Sequence, residues 1–319
     1  VIKPNHESKV LREMAEEFSE GHFLGLAPRE GDTDIVVLSL PYELTTSYGQ
    51  GTANGPAACI EASGQVELYD SLLDDDLPAG YSIVTAQPWD GEGATLEEQL
   101  DGIEQYLKEW FTGEAFPVVL GGEHGSLPAQ MRALSQHPTL GGDLGKLTLV
   151  QIDAHADLRD ELDGDNYSHA CAARRALDEG VGGLIQIGVR AFSREEENFI
   201  TNDERVSTWF ARDFITPCGG EKVWNALLAE ISNIKGPVWL TLDIDGLDGS
   251  LVPDTGTPVP GGLAYWQAVE VIESLFSAAG AEVIGADVVE IVPGSENNLT
   301  QFTAAMLATK IIAAHLASL

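Results

Sequence analysis

Four short clusters of histidine and carboxylate residues each follow an apolar run, and together they have the composition of a metal site. Their members are His124; Asp153, His155 and Asp157; Asp243 and Asp245; and Glu290. Imidazole and carboxylate donors of this kind are typical of an Mn²⁺ site rather than of a closed structural zinc site. Ni²⁺, Co²⁺ and Zn²⁺ are the alternative ions. The four aspartates in one crevice would repel one another, and two divalent cations remove that repulsion. The sequence therefore predicts a centre that holds two metal ions.

The clusters are predicted to lie at one edge of a parallel β-sheet. Apolar runs typical of buried strands recur at 34–41, 116–120, 147–152, 184–189, 238–242 and 283–289. Helical patterns separate most of these runs, and such alternation predicts an α/β fold whose parallel sheet is covered on both faces. Because open α/β sheets form their ligand crevice at the carboxyl ends of the strands, the clusters should meet there.

The spacing of residues within two of the clusters also predicts that their side chains point toward one another. In an extended chain, residues i, i+2 and i+4 project to the same side. Asp153, His155 and Asp157 have this spacing, as do Asp243 and Asp245. For a single cluster taken alone, a structural role in turns and helix caps would be a better explanation than metal binding. The complete set, with each cluster after its own apolar run, favours metal binding.

Four segments resemble the motifs of the ureohydrolase family, which includes arginases and agmatinases. They are Gly-Gly-Glu-His at 121–124, Asp-Ala-His-Ala-Asp-Leu-Arg at 153–159, Asp-Ile-Asp-Gly-Leu-Asp at 243–248 and Asp-Val-Val-Glu at 287–290. The resemblance extends from about Tyr42 to the C-terminus. It implies an arginase-like, three-layer α/β/α fold with a central parallel sheet.

The chain is expected to form one domain over residues 1–319, because no linker rich in proline or serine divides it and no repeat is visible. Residues 1–33 are expected to be a helical or extended segment that packs on this domain. Within that segment, residues 7–20 have the pattern of an amphipathic surface helix.

The resemblance also implies a role for each candidate residue. One Mn²⁺ would be held by His124, Asp153, Asp157 and Asp243, and the other by His155, Asp153, Asp243 and Asp245. Two neighbouring ions lower the pKa of a shared water, which then attacks a guanidinium carbon and releases urea. Asp157 would orient the attacking oxygen, His169 would transfer protons near the leaving amine, and Glu290 would pair with the guanidinium. The alternative for His169 is a purely structural histidine, and the alternative for Glu290 is a salt bridge at the end of a strand.

The expected substrate is a small cationic guanidino compound. The segment 188–196 resembles the corresponding loop of agmatinases, and the amino-acid contacts of arginases are not matched. Agmatine is therefore favoured, with His169, Glu290 and Phe192 as its contacts. The alternatives are 4-guanidinobutyrate, for which Arg159 or Arg190 would supply a cationic anchor, 3-guanidinopropionate, free guanidine and arginine.

Two further classes of protein remain as alternatives at this point. One is a deacetylase on a related fold, which uses one zinc ion. The set of six ligand residues argues against it, because a single metal ion needs fewer carboxylate ligands. A non-catalytic metal-binding homologue is the other alternative. The presence of both His169 and Glu290 argues against that reading.

The composition limits the partners and the compartment. The 319 residues include 51 Asp and Glu against 17 Lys and Arg, which gives a formal net charge of −34 and disfavours nucleic-acid binding. No apolar run has the length of a membrane span, and Cys59, Cys171 and Cys218 are too few for a disulfide framework. A cytoplasmic enzyme is expected, and the resemblance implies a homo-oligomer, either a trimer or a hexamer.

The excess of acidic residues leads to a prediction about salt. If the acidic surface reflects a high-salt habitat, screening of its self-repulsion should stabilise the fold. The melting temperature is then expected to rise between low and molar KCl. Thermal melts followed by circular dichroism at both salt concentrations test this, and unchanged melting temperatures would count against the hypothesis.

Overall fold

The computed structural model describes residues 19–27, 31–91, 93, 95–215 and 220–319. Its strands are β1 Ile35–Leu40, β2 Tyr69–Asp70, β3 Asp75–Asp76, β4 Ile83–Thr85, β5 Phe116–Gly121, β6 Thr148–Ile152, β7 Gly183–Val189, β8 Val206–Phe210, β9 Gly236–Asp243 and β10 Ala281–Val289. Its helices are α1 Gly55–Ser63, α2 Leu96–Phe111, α3 Leu127–Leu134, α4 Ala172–Asp178, α5 Arg194–Asn202, α6 Ala211–Ile215, α7 Gly220–Ser232, α8 Tyr265–Ser277 and α9 Leu299–Ser318. Residues 7–18 of the helix predicted at 7–20 lie outside the described residues, as does Cys218, and Ser19 and Glu20 are not helical.

Eight of the strands form one sheet, in the order β4–β1–β5–β10–β9–β6–β7–β8. Every neighbouring pair in it is parallel. One apolar core lies between the sheet and helices α1, α7, α8 and α9. A second core lies between the other face and helices α2, α3 and α4. The predicted three-layer α/β/α arrangement with a central parallel sheet is confirmed.

Helix α2 shows how the sequence produces this packing. The Thr95 side chain accepts a hydrogen bond from the Glu98 amide, and the Glu98 carboxylate accepts one from the Thr95 amide. This pair of bonds fixes where the helix begins. Leu100, Ile103 and Leu107 recur at helical spacing and are fully buried. Their burial places the helix against the sheet.

The two edge strands of the sheet have no clear signature in the sequence. The edge strands β4 and β8 were not predicted, because β4 has only three residues and β8 is half-buried along its length. Asp75 and Asp76 lie in an acidic segment that, with Pro78 and Gly80 after it, is typical of a surface turn. They form β3 instead, which pairs antiparallel with β2. The sequence from about Ala57 predicts a helix as far as Asp70, but helix α1 ends at Ser63.

The strand order explains why the four clusters meet. The four clusters follow β5, β6, β9 and β10, and these strands are contiguous in the order β5–β10–β9–β6. His124 begins a short 3-10 turn after β5, Asp153 follows β6, Asp243 is the last residue of β9, and Glu290 follows β10. Because all four strands run parallel, these residues lie at the same edge of the sheet.

Candidate metal centre and active site

One group of acidic side chains surrounds the ring of His124. Its Nδ1 lies 3.0 Å from a carboxylate oxygen of Asp157, 3.2 Å from one of Asp153 and 3.7 Å from one of Asp243. All four side chains are buried. The group has the nitrogen and oxygen donors that a divalent transition-metal ion requires.

A second group lies beside it and shares Asp153. His155 Nδ1 lies 3.0 Å from Asp245 Oδ2 and 3.7 Å from Asp153 Oδ1. The other oxygen of Asp153 faces His124, so this carboxylate lies between the two histidines. Five of the six predicted ligand residues therefore form two adjoining groups, and the sixth, Asp243, lies beside the first group at 3.7 Å from His124 Nδ1.

The protonation of His124 shows that the first group fits a cation. Thr241 Oγ1 donates its proton to Asp287 at 2.7 Å, so the same oxygen must accept the hydrogen bond from His124 Nε2, 2.9 Å away. Nδ1 is buried, has no hydrogen-bond partner and faces the carboxylates of Asp153 and Asp157, which outweigh burial and raise the pKa of His124 well above its ordinary value. Because Nε2 is already used by Thr241, a metal ion bound among the carboxylates would take the place of the proton on Nδ1.

Crowding of carboxylates away from water dominates the electrostatics. Burial, reinforced by Asp245 and Asp153, raises the pKa of Asp243 well above its ordinary value. Burial and the charge of Asp153 raise the pKa of Asp157 to about 7. For His155, burial is outweighed by Asp245 and Asp153, which raise its pKa to about 11. Bound divalent cations would favour the ionised carboxylates and so relieve this crowding.

The convergence of Asp157 with Asp153 has a different cause from the one predicted. Strand β6 ends at Ile152, and Asp157 has a left-handed backbone with φ of 52°. Glu290 has a similar backbone, with φ of 61°. Such conformations are costly outside glycine, and they occur preferentially at functional sites. Local turns, rather than strand alternation, aim these two carboxylates.

The end of β5 approaches its neighbours closely. A Cβ atom at Gly122 would lie 2.0 Å from the Tyr42 carbonyl oxygen, so only glycine fits here. The Gly122 carbonyl accepts a hydrogen bond from the Glu290 amide at 2.8 Å. The His124 amide in turn donates to Glu290 Oε1 at 2.8 Å. These contacts fix the Glu290 carboxylate beside the first group.

His169 stands next to the metal cluster on a separate support. Its backbone amide donates to Thr45 Oγ1 at 3.0 Å, and its Nδ1 lies 3.3 Å from the same hydroxyl. Thr45 Oγ1 donates to the buried Glu123 carboxylate at 2.6 Å. Burial lowers the pKa of His169, so the ring is predominantly neutral at pH 7.

A cavity of about 340 Å³ opens above these groups. Its lining includes His155, Asp157, Asp243, His169, Phe192 and Glu290. Phe192 is partly exposed and packs on Phe210, with ring centroids 5.1 Å apart. The sequence-predicted catalytic and substrate-binding residues therefore share one cavity with part of the ligand set.

The remaining lining includes both charged and apolar side chains. Arg159, Leu162 and Asp163 also line the cavity, and Asp163 is exposed. The Arg159 guanidinium lies 3.9 Å from the Glu196 carboxylate, which offsets its charge. Arg190 is not among the lining residues and donates instead to backbone carbonyl oxygens, including that of Asp245 at 2.7 Å. Of the two predicted cationic anchors, only Arg159 reaches the cavity.

The Arginase family model matches residues 33–314. The chain belongs to the arginase family. As an arginase-family ureohydrolase, it is a metal-dependent hydrolase of guanidino compounds. The resemblance to ureohydrolases that the motifs indicated is thereby confirmed. In the described ranges, we find no helix with both the length and the apolar character that crossing a membrane requires.

Relatives of this arginase-family chain carry different substrate names. It is 34% identical over 290 residues to the N(1)-aminopropylagmatine ureohydrolase of Synechocystis sp., covering 88% of this chain and 89% of that protein. It is 30% identical over 277 residues to the guanidinobutyrase of Pseudomonas aeruginosa, covering 84% and 82%. The structure of agmatine ureohydrolase of Thermoplasma volcanium matches with a TM-score of 0.74 and 27% identity, covering 96% of this chain and 97% of that one.

Several residues that support the ureohydrolase site were given no role in the sequence analysis. Glu123 is fully buried and accepts hydrogen bonds from the backbone amides of Leu44, Thr45 and Thr46. Gln151, Thr241 and Asp287 are polar residues inside otherwise apolar strands. That interruption, one or two residues before the end of β6, β9 and β10, was the signal available in the sequence.

Proposed function

We propose that this arginase-family hydrolase is an agmatinase, which converts agmatine and water to putrescine and urea. The observation that carries the proposal is the cavity, which has Glu290 beside the predicted metal ligands Asp157 and Asp243 and the exposed Asp163 also in its wall. Agmatine is a dication, with a guanidinium at one end and an amine at the other. Carboxylates in one small cavity favour such a substrate electrostatically.

Two cations would be held by the six ligand residues His124, Asp153, His155, Asp157, Asp243 and Asp245. We propose Mn²⁺, with Ni²⁺ or Co²⁺ as alternatives, because the donors are carboxylate oxygens and imidazole nitrogens. When bound, the cations supply a water that ionises near neutral pH.

The other side chains act on the substrate and on protons. The guanidinium is planar and stays protonated, with a pKa above about 12, so a fixed carboxylate such as Glu290 can pair with it. The Asp157 carboxylate accepts a hydrogen bond from the attacking water and orients it. His169, neutral at rest, takes up a proton and delivers it to the nitrogen of the leaving amine.

A urea-release screen tests the proposed substrate. Protein loaded with Mn²⁺ or Ni²⁺ is assayed with agmatine, N1-aminopropylagmatine, arginine, 4-guanidinobutyrate, 3-guanidinopropionate and guanidine. We expect the highest kcat/KM with agmatine. A clear preference for another compound would replace agmatine as the substrate, and no urea from any of them would contradict the activity itself.

A second candidate is 4-guanidinobutyrate. Arg159 lines the cavity and would attract the carboxylate of this compound. The relative named guanidinobutyrase supports the same reading. Against it, Glu196 lies close enough to Arg159 to offset its charge.

Asp163→Asn separates these two candidates. Loss of an exposed carboxylate is worth up to about 1 kcal/mol, so kcat/KM for agmatine is expected to fall about 3- to 5-fold. The kcat/KM for 4-guanidinobutyrate should stay the same or rise. Steady-state urea assays with both compounds measure the change. An equal fall for both would show that Asp163 does not recognise the amine.

His169→Ala should slow turnover without loss of metal. Removal of a proton-transfer group typically costs 100-fold or more, so kcat is expected to fall by about 100-fold. Bound Mn²⁺ per chain should match the wild type, because His169 lies outside the ligand set. His137→Ala, at a half-buried histidine outside the cavity, is the control. Unchanged kcat in His169→Ala would remove this residue from the mechanism.

A further inference from the structure

A row of polar side chains crosses five neighbouring strands one layer below the metal cluster. Its members, which we call the polar row, are Asp287, Thr241, Gln151, Gln186 and Thr208, from β10, β9, β6, β7 and β8. Each is in register with the next: Asp287 with Thr241, Thr241 with Gln151, Gln151 with Gln186, and Gln186 with Thr208. The first four are fully buried. Polar groups in such a place destabilise a core unless every one of them is hydrogen-bonded.

One half of the polar row ends on His124. The Asp287 carboxylate accepts hydrogen bonds from Trp239 Nε1 and from Thr241 Oγ1, both at 2.7 Å. Thr241 has no second proton, so it accepts from His124 Nε2–H at 2.9 Å. This chain of bonds holds the ring at one angle and leaves Nδ1 free to bind a metal ion.

The other half ends on Asp153. Gln151 Nε2 donates to Asp153 Oδ2 at 2.7 Å, and Gln186 Nε2 donates to Gln151 Oε1 at 2.8 Å. Thr208 Oγ1 then donates to Gln186 Oε1 at 2.9 Å. Because a carboxylate only accepts, the orientation of every amide in this half follows from Asp153. The two halves meet where His124 Nδ1 lies 3.2 Å from Asp153 Oδ2.

We propose that the polar row positions His124 and Asp153 and thereby sets the affinity of the centre for its cations. The inference rests on the proposed two-metal site. The half that contains Asp287 and Thr241 acts on the cation beside His124 alone. The half that contains Gln186 acts on both cations, because Asp153 faces both histidines. Partners that orient metal ligands in this way change metal affinity about 10- to 100-fold.

Thr241→Val tests the first half. The loaded protein is dialysed against chelator-buffered series of free Mn²⁺, and bound Mn²⁺ per chain is measured by atomic absorption. The wild type should bind two. In the variant, the affinity of one ion should fall about 10- to 100-fold while the other stays within about threefold. At intermediate free Mn²⁺ the variant would then hold one ion per chain.

Two control variants separate positioning from general destabilisation. Thr241→Ser keeps the hydroxyl and should restore binding of both ions. Thr309→Val removes a buried hydroxyl whose hydrogen bond goes to the Ala305 carbonyl in α9, away from the cluster. It should bind Mn²⁺ as the wild type does. If Thr309→Val loses as much affinity as Thr241→Val, the polar row has no specific part in metal binding.

Gln186→Met tests the second half, since it removes the donor to Gln151 and to the Ala156 carbonyl without replacing a ligand. Both ions should bind more weakly, so both steps of the binding curve should shift to higher free Mn²⁺ together. Wild-type curves in both Gln186→Met and Thr241→Val would overturn the inference while leaving the proposed function intact. A wild-type protein that binds no Mn²⁺ would overturn the proposed function, and the inference with it.

Discussion

Replacing Asp153 with alanine is expected to abolish urea release and to empty the metal centre. Asp153 is fully buried and faces both His124 and His155, so its loss removes a donor from both groups at once. Partners that only orient ligands cost about 10- to 100-fold, so a ligand common to two ions should cost more than about 1,000-fold. The checks are the urea assay with agmatine and bound Mn²⁺ per chain.

Asp143→Ala is the matched control for Asp153→Ala. Asp143 caps the short 3-10 turn before β6, at the amino ends of the strands and away from the metal cluster. Its side chain accepts a hydrogen bond from the Gly145 amide. This variant should keep wild-type turnover and metal content. Asp153→Ala protein that turns over agmatine normally with two bound Mn²⁺ would refute the assignment of Asp153 as a shared ligand.

Replacing Glu290 with glutamine is expected to leave the metal in place and to remove most of the activity. The Glu290 side chain is buried in the cavity wall, and the His124 amide fixes one of its oxygens. The amide of glutamine would put N–H donors opposite the N–H donors of the guanidinium. Breaking a buried, hydrogen-bonded charge pair costs several kcal/mol, so kcat/KM for agmatine should fall about 30- to 1,000-fold.

Glu282→Gln makes the same change at the other end of the same strand. Glu282 is exposed near the amino end of β10 and accepts a hydrogen bond from Thr139. Its kcat/KM should equal that of the wild type. If Glu290→Gln retains full kcat/KM at saturating Mn²⁺, Glu290 does not bind the guanidinium. A loss of Mn²⁺ from this variant would instead assign it to the metal centre.

The central strands could be predicted from sequence because each is buried on both faces. Strand β5 is a continuous apolar run, and β1 and β9 are apolar except for one or two polar residues near their ends; this pattern is nearly independent of the rest of the fold. The edge strands have no such signature. Strand β8 mixes Ser207 and Thr208 with apolar residues and is half-buried, so its pairing with β7 depends on contacts that local sequence does not encode.

The positions of several site residues were predictable for a similar reason. The direction of a strand in a parallel sheet fixes where the residue after it must lie, so His124, Asp153, Asp243 and Glu290 could be placed without knowing the strand order. The left-handed turn at Asp157 could not, since it depends on the path of the chain after β6. The support of His169 by Thr45 and Glu123 joins segments more than 70 residues apart and has no local pattern.

The polar row shows what the sequence contains but does not reveal by itself. Gln151, Thr241 and Asp287 were visible as polar residues in apolar strands. Their partnership depends on the order β10–β9–β6, which a pattern of strands and helices leaves open. Register across the sheet, and not spacing along the chain, brings them to the two ligands that they contact.

Anomalous diffraction at the manganese absorption edge, from crystals of the Mn²⁺-loaded protein, tests the two-cation centre most directly. The account predicts two anomalous peaks in each chain, one beside His124 and one beside His155, with Asp153 between them. A single peak, or peaks away from these side chains, would contradict it.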